Sequence, residues 1–389
     1  MQLIYYIINV IIYGGDNMEQ KSRALKIEKR VMYTLFFLTF GVMMIIGTTK
    51  DLEIDKSLFD YQNSFARFME SYAEAPLHLV RLLACCVLFT AYHKVDDALD
   101  IAQSFLPFIG KIRNNKIIRI IIYIIHHIIY VMFLCGAFIG SNEFLNYIGA
   151  NIQDLLTGKG APKFIAVILW TIVRIALVII VLLLMRKIDK KKLRSLEFMA
   201  FAGLILYESS AVINEIKDYF HRVRFREMVA YSHALIDANG YSSRGNSDMP
   251  KEWVETSFFN AYTPWYKPGN DFGVYSESNS FPSGHTASAA FTMLLPLLAT
   301  KTKKATKLFI PAFILGFAYT LTTGIMRLVV GAHYLTDIAA AAIIILAMAI
   351  VITGIMNILE RYSDKRLNRI IRRRKRDEMR SQMKDETEE

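Results

Sequence analysis

Long apolar stretches alternate with short charged clusters along the chain. Eight stretches run roughly over 31–49, 76–93, 117–140, 164–185, 196–216, 284–300, 307–326 and 335–357. Each approaches or exceeds the ~20 apolar residues that a helix needs to cross a bilayer. The connections sort by charge. Lys21 to Arg30, Lys111 to Arg119, Arg186 to Lys192, Lys301 to Lys307 and Arg372 to Arg376 are basic, and they fall on alternate sides of the eight stretches. Basic loops stay in the cytoplasm, so both termini are expected there. The connections 50–75, 141–163, 217–283 and 327–334 then face outward. The expected fold class is all-α, a polytopic membrane helix bundle of about eight transmembrane helices.

The N-terminal stretch Met1 to Gly15 is apolar but too short to span comfortably. It lacks a basic start and a small-residue cleavage site, so it reads poorly as a signal peptide. Met1 and Met18 are both candidate starts of a cytoplasmic leader, 1–30. Residues 31–185 form a first membrane region, and 186–357 a second that carries the chemistry below. Residues 358–389 are a basic cytoplasmic tail, lying on anionic lipid or solvated.

Composition sharpens this picture. Of 389 residues, 53% are hydrophobic and 21% charged, with a mean hydropathy of +0.30. That excludes a disordered chain, a coiled coil and a disulfide scaffold. Cys85 and Cys86 are adjacent, and with Cys135 they lie in apolar runs. Free thiols and no metal site are expected. The 46 basic residues against 35 acidic ones give +11. In a membrane chain that excess marks cytoplasmic loops, not a nucleic-acid partner.

Three polar clusters fall at one end of the expected spans. The first runs from Lys217 through His221, Arg222 and Arg224 to Phe225. The second is Phe281-Pro282-Ser283-Gly284-His285. The third runs from Arg327 through His333 to Asp337. A site assembled from several helix ends has this pattern. Lys217, Arg224 and Arg327 supply a point charge and two planar forks suited to phosphate oxygens. Pro282 and Ser283 open a helix, where free N–H groups favour an anion. Gly284 lets the backbone approach, and the Ser283 hydroxyl can donate. His333 and Asp337 are four apart, on one face of a helix. A carboxylate bonded to one ring nitrogen leaves the other free to attack. His285, beside the cradle, is suited to protonate a leaving alkoxide and then to activate water. Together these residues describe ester hydrolysis through a phosphohistidine. Cations neutralise the developing charge, so no metal is needed.

The clusters resemble the signature of the type 2 phosphatidic acid phosphatase family, within the superfamily that includes vanadium haloperoxidases. That pattern is K-x6-R-P, then P-S-G-H, then S-R-x5-H-x3-D. Here it reads Lys217-x6-Arg224-Phe225, Pro282-Ser283-Gly284-His285 and Met326-Arg327-x5-His333-x3-Asp337. Phe225 replaces the proline and Met326 the serine. A looser loop after Arg224 and one fewer phosphate contact are expected. The resemblance covers roughly 190–350, and 55–76 also looks like the outer connection after the first span of bacterial members. It implies a six-helix core, leaving two extra spans. It implies His333 as nucleophile, Asp337 as its orienter and His285 as acid and base. Phosphate binding falls to Lys217, Arg224, Ser283, Gly284 and Arg327. No cofactor is implied. The substrate is a membrane lipid phosphate: phosphatidate, phosphatidylglycerol phosphate or undecaprenyl diphosphate.

Two other functions fit these residues. A lipid phosphotransferase would use the same phosphohistidine with a lipid hydroxyl as acceptor. A binding or transport protein would use the fold without catalysis. Arg222 reads either as a phosphate contact or as a solvated side chain. The loop aromatics Trp253, Tyr262, Trp265, Tyr266 and Tyr275 read as interfacial anchors or as a lid.

Overall fold

A computed structural model describes residues 18–109, 115–157, 163–233, 253–268, 279–302 and 304–388. The two candidate start positions bracket the undescribed 1–17, and Tyr275 also lies outside the described residues. Among the described residues every regular element is a helix. The N-terminal half holds α1 (Met18–Leu58), α2 (Ser64–Tyr72), α3 (Ala75–Ala91), α4 (Val95–Phe105), α5 (Lys116–Thr157) and α6 (Lys163–Arg186). There follow α7 (Lys190–Ser209), α8 (Val212–Phe220), α9 (Phe225–Ser232), α10 (Gly284–Ala290), α11 (Leu294–Ala299), α12 (Ala305–Val329) and α13 (Leu335–Glu388).

Among the described residues, seven helical stretches are long and apolar enough to cross a membrane. The protein is therefore an all-α, polytopic helix bundle of the multi-pass membrane type. The eighth expected span, 284–300, is a shorter apolar stretch, Gly284–Ala299. It is broken by a 3₁₀ turn at Phe291–Met293 between α10 and α11. Sixteen residues rise only ~24 Å, short of the ~30 Å hydrocarbon core.

Several helices outrun the apolar patterns that predicted them. The charged residues Lys50 to Lys56, read as the start of a loop, continue α1 to Leu58. Residues 141–157, read as a connection, continue α5. The basic tail continues α13 to Glu388. Polar residues end an apolar pattern without ending a helix, because Lys, Arg and Glu are good helix formers.

The chain divides into two compact units. One comprises Met1–Val80, Phe144–Leu156 and Ile205–Ile350; the other comprises Arg81–Glu143, Thr157–Leu204 and Val351–Glu389. The first unit is built around α12, which packs against α1, α2, α10 and α11. Phe36 and Phe40 of α1 meet Phe309 and Phe313 of α12 in one buried cluster. A second cluster joins Tyr61, Val223, Phe225, Met228, Phe259 and Tyr334. The second unit has its own core, in which Ala84, Val87 and Leu88 meet Leu193 and Ala200.

Local chemistry sets the ends of the short elements near the site. Asn63 caps α2, its Oδ1 accepting from Ala66 N at 3.0 Å. His221 ends α8 with φ 42°, in the left-handed region. That turns the chain sharply before Arg222. Arg224 opens α9, and Glu227 reaches back to the Arg224 N–H at 3.3 Å, the reciprocal half of a capping box.

Candidate active site

The three motif clusters meet in the first unit. Their centre is buried: His333 is 2% exposed, while Asp337 and Arg222 are 0% exposed. Asp337 lies in the first turn of α13, where its Oδ2 accepts the Tyr334 N–H at 2.9 Å. The same oxygen accepts a short hydrogen bond from the Ser280 hydroxyl. His333 Nδ1 lies 2.7 Å from the Ser280 carbonyl. A carbonyl only accepts, so Nδ1 carries the proton and Nε2 is left with its lone pair. Asp337 Oδ2 stands 3.5 Å from Nδ1, beyond a good hydrogen bond. The sequence pattern expected the carboxylate to hold the ring directly. In the structure the carboxylate holds Ser280, and the Ser280 carbonyl holds the ring. Burial, helped by the charges of Arg327 and Lys217, lowers the His333 pKa to about 3 against the pull of Asp337. The ring is neutral at ordinary pH.

Arg222 is the residue the sequence placed least well. It neither faces solvent nor reaches toward the cation cluster. Its Nη1 donates to Asp337 Oδ1 at 2.6 Å and to Thr336 Oγ1 at 2.9 Å. Its Nη2 donates to Asp51 Oδ2 at 2.9 Å and to Tyr262 OH at 3.3 Å, and Nε to the Thr263 carbonyl at 2.7 Å. Burial opposes its charge, but Asp337 and Asp51 outweigh burial and raise its pKa above the ordinary value. Asp51 also receives the Thr336 N–H at 3.0 Å and the Thr336 hydroxyl. Arg222 thus ties the first turn of α13 to α1.

The phosphate-type cations sit around this centre. Lys217, Arg224 and Arg327 lie within electrostatic range of one another. The Lys217 Nζ lies 3.1 Å from where a Cβ on Gly284 would stand, so only glycine gives the ammonium its full approach. Ser283 caps α10: its Oγ accepts the Thr286 N–H at 3.3 Å and the Thr286 hydroxyl at 2.9 Å. The Ser283 N–H donates to the Asp337 carbonyl at 3.0 Å, which joins the second motif to the third. Arg224 pairs with Glu227 at 3.1 Å.

The α2–α3 corner completes the site from outside the motifs. Glu70 Oε1 pairs with Arg327 Nη1 at 2.8 Å and Arg226 Nη1 at 2.7 Å, and Glu70 also pairs with Arg67. The Glu70 carbonyl accepts from His285 Nε2 at 2.9 Å, and Glu74 Oε1 stands 3.2 Å from His285 Nδ1. Sequence reading treated 50–75 as an acidic outer connection and named none of Asp51, Glu70 or Glu74. Their signal was carboxylates placed beside apolar helical runs, which are costly without partners.

Three of the loop aromatics, Trp253, Tyr262 and Trp265, are tied into the fold. Trp253 packs in the Phe225 cluster and donates its indole N–H to the Lys56 carbonyl at 2.8 Å. Trp265 donates to Thr48 Oγ1 at 3.0 Å and stacks on Phe281. Tyr262 reaches Arg222, while Tyr266 is exposed.

Residues 192–361 match the model of the PAP2 superfamily. The match supports the type 2 phosphatidic acid phosphatase superfamily for that stretch, and with it phosphatase-type hydrolysis of phosphoesters. All three motifs fall inside it, whereas Asp51, Glu70 and Glu74 precede it. No curated protein and no solved structure matches the chain.

Proposed function

We propose that the protein is an integral-membrane lipid phosphate phosphatase that works through a phosphohistidine, without a metal. The observation that carries this reading is the His333 ring. Its Nδ1 proton is committed to the Ser280 carbonyl, which leaves Nε2 as the nucleophile. The substrate is a phosphomonoester or diphosphate whose lipid tail stays in the bilayer: phosphatidate, phosphatidylglycerol phosphate or undecaprenyl diphosphate. The cell membrane holds the protein with both termini cytoplasmic and the site extracytoplasmic, which rests on the alternation of basic loops and on counting the short stretch 284–300, packed along α12, as the eighth crossing.

In the first step Nε2 attacks phosphorus and the bond to the leaving oxygen breaks. His285 gives that oxygen a proton. In the second step water gives a proton to His285 and attacks phosphorus. The P–N bond breaks, and His333 and free phosphate are regenerated. Lys217, Arg224 and Arg327, with Ser283 and the backbone at Gly284, hold the phosphoryl oxygens as charge develops. Asp337 positions His333, acting in large part through Ser280.

The test is phosphate release by detergent-purified protein in EDTA against a panel of lipid phosphates, with His333→Ala alongside. EDTA-resistant release that is lost in the variant supports the proposal. A product carrying phosphate on a second lipid, with little free phosphate, would replace hydrolysis by transfer.

A further inference from the structure

The proposed chemistry needs His285 protonated when the leaving group departs, and its surroundings oppose this. Burial first, then the charge of Arg327 from α12, the His333 ring from the loop before α13 and the charge of Lys217 from α8, push the His285 pKa well below its ordinary value. Its Nε2–H is fixed on the Glu70 carbonyl from α2. That carbonyl cannot give or take the reacting proton, so the exchangeable site is Nδ1. Glu74, in the turn just before α3, places Oε1 3.2 Å from Nδ1. The other nearby carboxylates are already engaged: Glu70 by Arg67, Arg226 and Arg327, and Asp337 by Arg222 and Ser280. Glu74 also lines a cavity of about 200 Å³ with Asn214, Lys217 and Gly284, two of which belong to the phosphate cradle.

We infer that Glu74 is the positioning residue that keeps His285 loaded as an acid, its carboxylate holding the Nδ1 proton until a leaving oxygen takes that place. This rests on the proposed hydrolysis and deepens it. The proton balance closes on His285 alone. The imidazolium gives its Nδ1 proton to the departing oxygen, and the neutral ring then takes one from water. Glu74 takes no part in the proton transfer and supplies the negative charge that favours the imidazolium among the cations. Glu74 lies well before the stretch that carries the three motifs, so a motif-based reading passes over it.

Two measurements on the full-length protein test this. In the first, the protein is labelled with ¹⁵N-histidine, His285 is assigned by its loss in His285→Gln, and its titration is followed. The wild type should take up its second ring proton at Nδ1, with the Nε2–H retained on the Glu70 carbonyl. Glu74→Gln should lower the His285 midpoint by one unit or more, the shift expected for loss of an opposite charge at this distance. Glu74→Asp should retain most of it. A midpoint unmoved in Glu74→Gln, or protonation at Nδ1 that is indifferent to Glu74, overturns the inference. In the second, Glu74→Gln should cut turnover of an alkyl phosphate about tenfold or more, yet spare an aryl phosphate whose leaving group needs no acid. Equal losses on both overturn it. If wild-type protein cleaves neither ester, the proposed function fails, and the histidine titration still decides the role of Glu74.

Discussion

Replacing Arg222 tests how the first turn of α13 is held. The side chain is 0% exposed, and it forms two ion pairs, to Asp337 at 2.6 Å and Asp51 at 2.9 Å. Arg222→Met keeps much of the volume but leaves two buried carboxylates with no counter-charge. Removing one partner of a buried pair costs about 3–5 kcal/mol, and here two carboxylates are stranded. The loss should sit at the upper end of that range, lowering the melting midpoint by several degrees. Activity should fall further than stability explains, because Asp337 would shift and carry Ser280 and the His333 ring with it. Arg222→Lys keeps the charge but cannot fork to both carboxylates and Thr263, so it should fall between the two. Pairing Arg222→Met with Asp51→Asn removes one stranded charge and should recover part of the stability but little of the turnover. Thermal unfolding in detergent and phosphate release on the same samples give the two readouts. The reasoning is refuted if Arg222→Met melts like the wild type and retains full turnover.

Other outcomes follow from the same geometry. Gly331→Ala should destabilise by about 1–3 kcal/mol in denaturant or thermal unfolding, because φ is +64° and an added Cβ would lie 2.8 Å from Phe59. Gly284→Ala should displace the Lys217 ammonium, raising KM for the phosphate substrate with little change in melting temperature. Burial holds His333 neutral with a pKa of about 3, below its ordinary 6.5. The unfolded chain therefore binds a proton that the folded chain refuses. This contribution is complete above pH 6.5 and is lost as pH falls toward 3, a slope that unfolding midpoints measured across that range should show and His333→Gln should reduce.

Much of the site was legible because its motifs are local. Each cluster spaces its residues within one helix end or turn, so composition and spacing name Lys217, Arg224, Ser283, His285, Arg327, His333 and Asp337. The structure brings these into one unit. What stayed illegible depends on distant pairing. Asp51 meets Arg222 across 171 residues, and Arg226 meets Glu70 across 156. No periodicity carries such information. Arg222 looked ambiguous because a guanidinium beside a helix end can face solvent as readily as a carboxylate. The limits of the helices were missed for another reason. Charged turns at 50–58 stop the apolar pattern of α1, yet Asp51 and Asp55 are buried inside the fold rather than shed into a loop.

The central claim, that His333 becomes phosphorylated, is tested most directly by acid-free trapping. Protein mixed with a ³²P-labelled lipid phosphate is quenched in alkali within one turnover, and the label is mapped by peptide. The account predicts an alkali-stable, acid-labile phosphoryl group on the peptide carrying His333, absent in His333→Ala and accumulating in His285→Ala when an activated ester is used. Turnover in the wild type with no label on that peptide, or turnover preserved in His333→Ala, would contradict it.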